Sequence, residues 1–152
     1  MVNRSKIVTE VREAAPGSTP DQLCAKVVSL LKESFDSYDW VGIYLVRGSD
    51  LVLGPYLGAP TEHEVIPIGE GICGAAIAEG ATIVVPDVSA DSRYIACSLE
   101  TRSEIVVPIQ RDGIAYGEID IDSHTPDAFT DEDRDMLEEI AEILAARFGR
   151  AE

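Results

Sequence analysis

The sequence is poor in basic residues, and above all in lysine. Only Lys6, Lys26 and Lys32 occur in 152 residues, and the formal net charge is −16 at pH 7. So acidic a chain is repelled by phosphate backbones and anionic lipids, and we expect neither nucleic acid nor membrane as a partner. Few lysines beside many carboxylates would suit a salt-rich cytoplasm, but an ordinary acidic protein explains them about as well.

Long apolar runs are lacking too. The longest are far shorter than the roughly 20 residues that a membrane-spanning helix needs. The first residues, MVNRSKIVTEVREAAPG, mix charges into the apolar positions, unlike the continuous apolar stretch of a signal peptide. A cytoplasmic location is the default expectation, and the length is that of one domain, residues 1–152.

Cysteine is scarce, and the three cysteines lie in different contexts. Without a C-x-x-C pair or a Cys/His cluster, neither a disulfide framework nor a zinc site is expected. Cys24 falls on the apolar face of a predicted helix, as an inert core residue would. Cys73 follows two glycines at a predicted helix start, where backbone amides lower a thiol pKa. Cys97 lies in a long irregular segment, with Arg93 and Arg102 nearby in sequence to stabilise a thiolate. Two activated thiols would favour redox chemistry, and two buried free thiols are the alternative.

Hydrophobic periodicity predicts an α+β fold. Helices are predicted over 7–14, 20–35, about 72–79 and from 131 towards 149, with Thr19 and Thr130 as N-caps. Strands are predicted over 40–46, 51–56 and 82–87 and in SEIVVPIQ and IAYGEIDIDS, with hairpin turns at RGSD and RDG. This order indicates a central antiparallel sheet with helices packed on its faces. Residues 86–101 are the long irregular segment.

Carboxylates alternate along the last predicted strand, GEIDIDS. Period-two geometry puts Glu118, Asp120 and Asp122 on one face of it. Aspartate is disfavoured in strands, and a buried unpaired carboxylate costs several kcal/mol or more as a rough guide. The pattern indicates either a solvent-facing side or a pair, Asp120 and Asp122, that grips a cation. That cation would be a substrate ammonium or a divalent metal.

Glu104 opens the preceding strand, SEIVVPI. The RDG turn would pair the two strands and bring Glu104 near Asp120 and Asp122, where mutual repulsion raises the pKa of at least one of them. A glutamic acid with a raised pKa is a proton donor at neutral pH. The alternative is an edge charge that limits sheet aggregation.

Trp40 and Tyr44 share a face of the first predicted strand, with Gly42 between them. Two aromatic rings over a glycine would make a flat niche for a methyl or thioether group. The alternative is ordinary core packing.

Six stretches together resemble a known family. DWVGIYL, LVLGPYLG, GEGICGAA, VVPDV, YIACSLETRSEIVVPI and GEIDIDSHTPDAF are similar to the free methionine-(R)-sulfoxide reductases, single-domain members of the GAF superfamily. The resemblance runs from about residue 39 to the final helix. It implies a GAF-like α+β fold and the reduction of free L-methionine-(R)-sulfoxide to methionine, with no cofactor and no metal expected.

The resemblance also implies roles for single residues. Cys97 matches the cysteine that attacks the sulfoxide sulfur, and Glu104 matches the acid that protonates the sulfoxide oxygen. Asp120 and Asp122 match carboxylates that hold the substrate ammonium. The aromatic wall beside the methyl group is matched by Trp40 and Tyr44.

Recycling is implied in the same way, as is a homodimer. Attack would leave a sulfenic acid on Cys97, Cys73 would condense with it to a disulfide, and thioredoxin or a similar dithiol would restore both thiols. The sequence departs from the family here: many members carry another resolving cysteine about ten residues before Cys73, and GAPTEHEVIPIGEG contains none. Either Cys73 resolves Cys97 directly, or the reductant attacks the sulfenic acid.

Two other functions compete with this one. A non-catalytic GAF module would bind a small amino acid or nucleotide and signal. A divalent-metal site at Asp120 and Asp122 ranks last, because further ligands with convincing spacing are missing.

Overall fold

A computed structural model describes residues 2–94 and 100–149 of the chain. The helices are α1 (Arg4–Ala14), α2 (Pro20–Ser34), α3 (Gly71–Glu79) and α4 (Asp131–Phe148), with 3-10 turns at Ala15–Gly17 and Val88–Ala90. The strands are β1 (Trp40–Arg47), β2 (Asp50–Leu57), β3 (Val65–Pro67), β4 (Ile83–Val85), β5 (Ser103–Arg111) and β6 (Ile114–Ser123). Across these two stretches, no helix has the length and apolarity that crossing a membrane would require.

The strands form one antiparallel sheet in the order β3–β2–β1–β6–β5–β4. Both predicted hairpins are present. Asp112 and Gly113 join β5 to β6 with φ of 53° and 78°, so both turn residues have the left-handed backbone of a tight type I′ hairpin. The turn pairs Arg111 with Ile114, and an irregularity between Ile109 and Gln110 then shifts the register by one residue. Glu104 therefore faces Asp122 and not Ile121.

The sheet is covered on both faces, as the α+β prediction requires. Helices α1, α2 and α4 bury one face, which we call the three-helix face, and α3 packs on the other, which we call the α3 face. On β6, Ile119 and Ile121 belong to the core of the three-helix face. Because side chains alternate along a strand, Glu118, Asp120 and Asp122 point to the α3 face.

The predicted caps are confirmed, and some boundaries shift. Thr19 and Thr130 each form a capping box. Helix α1 begins earlier than predicted because the side chain of Asn3 caps it. Strand β4 is shorter than predicted, because Pro86 lacks a backbone N–H and Asp87 caps the following 3-10 turn.

Candidate functional site

The site is built on three adjacent inner strands. Glu104 on β5 is the cross-strand partner of Asp122 on β6. On the other side of β6, Trp40 is opposite Asp122 and Gly42 is opposite Asp120. Antiparallel pairing therefore brings the predicted proton donor, the predicted ammonium ligands and the aromatic strand together, as the RDG turn indicated.

The carboxyl groups of this cluster are buried. Glu118 is 0% exposed, Asp120 1%, Asp122 3% and Glu104 4%. The solvent-facing interpretation of β6 is therefore wrong. The edge-charge interpretation of Glu104 is also wrong, because β5 lies between β6 and β4.

Several of the buried oxygens are unpartnered. Within residues 2–94 and 100–149, neither oxygen of Glu118 has a hydrogen-bond partner, and neither does Oδ1 of Asp120 or Oδ1 of Asp122. Leaving a buried acceptor unpaired costs about 1–3 kcal/mol, and more if it is charged. The cluster therefore favours any ligand that brings positive charge or hydrogen-bond donors.

Burial raises the pKa of every carboxyl in the cluster. For Glu104, desolvation raises the pKa well above its ordinary value, and the charges of Asp120 and Asp122 raise it further. Desolvation also raises the pKa of Asp120, although hydrogen bonds with Glu104 and Cys73 oppose the rise. The prediction that mutual repulsion raises the pKa of at least one carboxyl is confirmed in direction for Glu104, although burial is the larger cause. Its role as a proton donor stays a prediction.

The thiol of Cys73 belongs to the same cluster. It lies in the first turn of α3 and donates a hydrogen bond to Oδ2 of Asp120, with 3.3 Å between Sγ and the oxygen. Burial raises the pKa of Cys73 well above its usual value, and the charges of Asp120, Glu118 and Glu104 add to the effect. The prediction of a lowered pKa is wrong, because burial and three carboxyls outweigh the helix N-terminus.

Trp40 and Tyr44 line the α3 face of β1, with ring centroids 6.3 Å apart. The Trp40 ring lies flat over Gly42, where a Cβ atom would overlap its Cη2 and Cζ3 atoms. Trp40 Nε1 donates to the carbonyl of Ala59 at 3.0 Å, and the Tyr44 hydroxyl donates to the carbonyl of His63 at 2.7 Å. The geometry is that of an aromatic wall, and its contact with a substrate stays a prediction.

A cavity of about 170 Å³ opens beside Trp40 and Asp122. Its lining comprises Asp39, Trp40, Ala59, Pro60, Glu100, Thr101, Asp122 and His124. Nδ1 of His124 lies 3.6 Å from Asp39 and 3.5 Å from Glu100 at this cavity. Asp122 is the member of the carboxyl cluster that lines this cavity.

The remaining cysteine predictions have different outcomes. Cys97 lies outside the described residues, so its role stays a prediction. Arg93, proposed to stabilise a Cys97 thiolate, pairs with Asp91 at 2.8 Å and with Glu79 at 3.4 Å. Cys24 is a fully buried core residue, as predicted, and burial raises its pKa to about 12, with a contribution from the charge of Asp21.

Two contributors to the site were not predicted from the sequence. Glu118 was predicted on the correct face of the strand, but its burial in the cluster beside Asp120 was not predicted. The alternation of three carboxylates along GEIDIDS could have indicated it. Tyr56 on β2 stacks on Trp40 with centroids 5.6 Å apart and an interplanar angle of 21°. The only feature of the sequence that could have indicated this contact is the position of Tyr56, an aromatic residue at the end of the apolar strand predicted over 51–56.

Comparison with known proteins identifies the family. The GAF domain family matches residues 19–148. The free methionine-R-sulfoxide reductase of Escherichia coli is 36% identical over 125 residues, covering 80% of this chain and 75% of the relative. The protein of that name from Saccharomyces cerevisiae is 40% identical over 110 residues, covering 70% and 61%. The X-ray structure of free methionine-R-sulfoxide reductase from Neisseria meningitidis, in complex with its substrate, is 38% identical and superposes with a TM-score of 0.92, covering 97% of this chain and 89% of that one. With this sequence identity, this coverage and the shared fold, the chain belongs to the GAF domain family and, within it, to the free methionine-R-sulfoxide reductases.

Proposed function

We propose that this protein is an oxidoreductase that reduces free L-methionine-(R)-sulfoxide to L-methionine. The E. coli and S. cerevisiae relatives are named free methionine-R-sulfoxide reductases, and the N. meningitidis relative was solved in complex with its substrate. One structural observation carries the assignment for this chain: buried carboxyls with unpartnered oxygens face the same side of the sheet as Trp40 and Tyr44. An amino acid with a sulfur-containing side chain matches that surface, because its ammonium group suits the carboxyls and its methyl and sulfur end suits the aromatic rings.

Substrate binding would use the two ends of the methionine skeleton. The ammonium group donates to Asp120 and Asp122, each of which has an unpartnered oxygen. A cation at this position returns the pKa of both aspartates towards ordinary values, because an opposite charge favours the ionised form. The methyl and thioether part packs against Trp40 and Tyr44.

Reduction would begin at Cys97. Its thiolate attacks the sulfoxide sulfur, while the protonated carboxyl of Glu104 gives a proton to the sulfoxide oxygen. The hydroxyl then passes to the cysteine sulfur, so that methionine leaves and Cys97 becomes a sulfenic acid. The sulfoxide sulfur is reduced by two electrons, and the cysteine sulfur is oxidised by two.

Recycling would use Cys73. Its thiol condenses with the sulfenic acid, a disulfide forms and water leaves, and an external dithiol such as thioredoxin then reduces the disulfide. Because the pKa of Cys73 is raised, its thiolate is scarce at neutral pH, and we expect this step to accelerate as pH rises. The thioredoxin-type reductant and a homodimer follow from the family resemblance. A reducing cytoplasm is the proposed location, because these cysteines must start as thiols.

Turnover of the two sulfoxide epimers tests the activity. Purified protein with dithiothreitol is incubated with free methionine-R-sulfoxide or methionine-S-sulfoxide, and methionine is quantified. We expect reduction of the R epimer only, abolished in Cys97→Ser and retained in the control Cys24→Ser, whose thiol is core-buried. Full activity of Cys97→Ser would remove that residue from the mechanism, and equal use of both epimers would contradict the substrate assignment.

A second assay tests recycling. Cys73→Ser should release one equivalent of methionine from pre-reduced protein but lose thioredoxin-dependent cycling. Unchanged cycling would reject Cys73 as the resolving residue and would favour direct attack of the reductant on the sulfenic acid.

A further inference from the structure

Three side chains of the cluster have the arrangement of metal ligands. The Sγ atom of Cys73 and carboxylate oxygens of Glu104 and Asp120 all lie within 4.8 Å of one another, and all three residues are buried. Cys73 Sγ and Asp120 Oδ2 are 3.3 Å apart. A tetrahedral zinc with bonds of about 2.3 Å to sulfur and about 2.0 Å to oxygen holds such a pair at roughly 3.5 Å.

An independent observation points to a cation at the same place. Oδ1 of Asp120 is buried and has no hydrogen-bond partner in the described part of the chain, and the same is true of both oxygens of Glu118. Glu118 lies two residues before Asp120 on the same face of β6, and its charge acts on the Cys73 thiol. A divalent ion would supply the positive charge that this group of acceptors lacks.

We propose that the reduced protein binds one Zn²⁺ ion through Cys73, Glu104 and Asp120, and that the ion blocks the active site. The ion displaces the thiol proton and any carboxyl protons, which pass to solvent, and no atom changes oxidation state. A thiolate beside two carboxylates favours Zn²⁺ over the oxygen-seeking Mg²⁺ and Ca²⁺. Water completes the coordination.

The inhibitory part rests on the proposed function. Glu104 is the proposed proton donor, Asp120 a proposed ammonium ligand and Cys73 the proposed resolving thiol. One bound ion would therefore block proton transfer, substrate binding and disulfide formation together. Metal binding itself does not depend on that function. Turnover needs no metal, and enzyme treated with EDTA should remain fully active.

Cobalt substitution tests the binding site. Co²⁺ is titrated into fully reduced protein, and thiolate-to-cobalt charge-transfer absorption is followed until Zn²⁺ displaces it. We expect saturation at one equivalent, loss of the band in Cys73→Ser, and retention in Cys24→Ser and Cys97→Ser. Absence of the band from the wild-type protein, or its persistence in Cys73→Ser, would overturn the proposal.

A second variant keeps the test decisive if Cys73→Ser misfolds. Asp120→Asn preserves the thiol and the side-chain shape but removes a ligand charge, and we expect it to weaken Co²⁺ affinity at least tenfold, which is about 1.4 kcal/mol. The control Asp39→Asn changes a carboxylate at the cavity outside the ligand set and should leave affinity unchanged. Equal affinity of wild type and Asp120→Asn would overturn the site.

Inhibition is measured as single-turnover methionine release from pre-reduced protein, without dithiothreitol, which itself binds zinc. We expect Zn²⁺ to inhibit and methionine-R-sulfoxide to compete with it. Binding of metal at Cys73 without inhibition would support the metal site and overturn the proposal that the ion blocks the active site. If the enzyme is active and no metal binds, the metal proposal fails and the proposed function stands. If metal binds and neither epimer is reduced, the metal proposal stands and the proposed function fails.

Discussion

The two faces of the sheet bury carboxyl groups in opposite ways. On the three-helix face, Asp133 is 2% exposed and accepts hydrogen bonds from the Arg4 guanidinium at 3.0 Å, the Tyr38 hydroxyl at 2.6 Å and the Thr130 amide at 2.8 Å. Burial opposes its ionisation, but hydrogen bonds from Tyr38, Thr130 and Arg4 outweigh burial and lower the pKa of Asp133. Its charge is fully accommodated by the fold.

On the α3 face, Glu118, Asp120 and Asp122 have raised pKa values and oxygens without a hydrogen-bond partner among the described residues. Two regions that exclude solvent therefore have opposite electrostatic results, because Asp133 lies less deeply in the protein and accepts several hydrogen bonds. A carboxylate that serves only the fold has its partners built in, as Asp133 does. Four oxygens of the cluster have no hydrogen-bond partner among the described residues, an arrangement that favours a cationic ligand.

The largest expected effect is on catalysis, in Glu104→Gln. Without a transferable proton at this position, the single-turnover rate of methionine formation should fall roughly 10²- to 10⁴-fold. Stability should not fall, because the substitution removes a group whose pKa burial raises. The control Glu64→Gln changes an exposed loop residue and should be active. A rate close to that of the wild type would exclude Glu104 as the proton donor.

Asp133→Asn should mainly affect stability. Removing the charge leaves the Arg4 and Tyr38 donors poorly paired, and we expect the free energy of unfolding to drop by about 3 kcal/mol in urea titrations. The pKa of Asp133 is lowered in the folded state, so its contribution is present above the unfolded pKa and is lost as pH falls through the folded pKa. Asp133→Asn should therefore not show this decrease of the free energy of unfolding at acidic pH. Activity below the unfolding transition should be unchanged, and lost activity in folded protein would contradict the separation of the two faces.

Glu118→Gln should change the pH dependence of stability in the opposite sense. Burial raises the pKa of Glu118 in the folded state, so the unfolded chain releases its proton first and stability falls as pH rises above the unfolded value. Each unit of raised pKa accounts for about 1.4 kcal/mol of this loss. Urea titrations at acidic and alkaline pH should therefore show a flatter profile for Glu118→Gln than for wild type or the exposed control Glu62→Gln. Parallel profiles would show that Glu118 ionises freely in the folded protein.

Added salt should have the smallest effect on the free energy of unfolding, and it should act through surface charges alone. With a net charge of −16, the folded chain repels itself, and added salt should raise the free energy of unfolding by about 1 kcal/mol. Buried groups are screened much less, so the pH-dependent difference between wild type and Glu118→Gln should persist in high salt. Disappearance of that difference would mean that the cluster is exposed to solvent.

Local signals were sufficient for most of the fold. The threonine caps, the RDG hairpin and the alternation in EIDID depend on neighbouring residues, so the sequence predicted that Glu104 lies near Asp120 and Asp122. The register itself was not predicted, because an irregularity between Ile109 and Gln110 shifts it by one residue. The pKa of Cys73 could not be predicted in this way. Its environment comes from α3 packing on β6, a contact between distant segments, and a helix start in isolation indicates the opposite direction.

The hydrogen bonds of Trp40 and Tyr44 connect the aromatic wall to the backbone between β2 and β3. Both side chains donate hydrogen bonds to carbonyls of that connection, at Ala59 and His63, and the indole occupies the space that a Cβ atom on Gly42 would need. The length of the connection therefore sets the tilt of the wall. Deleting a single residue from 59–63 would therefore move both rings relative to the carboxyl cluster without changing any residue of that cluster.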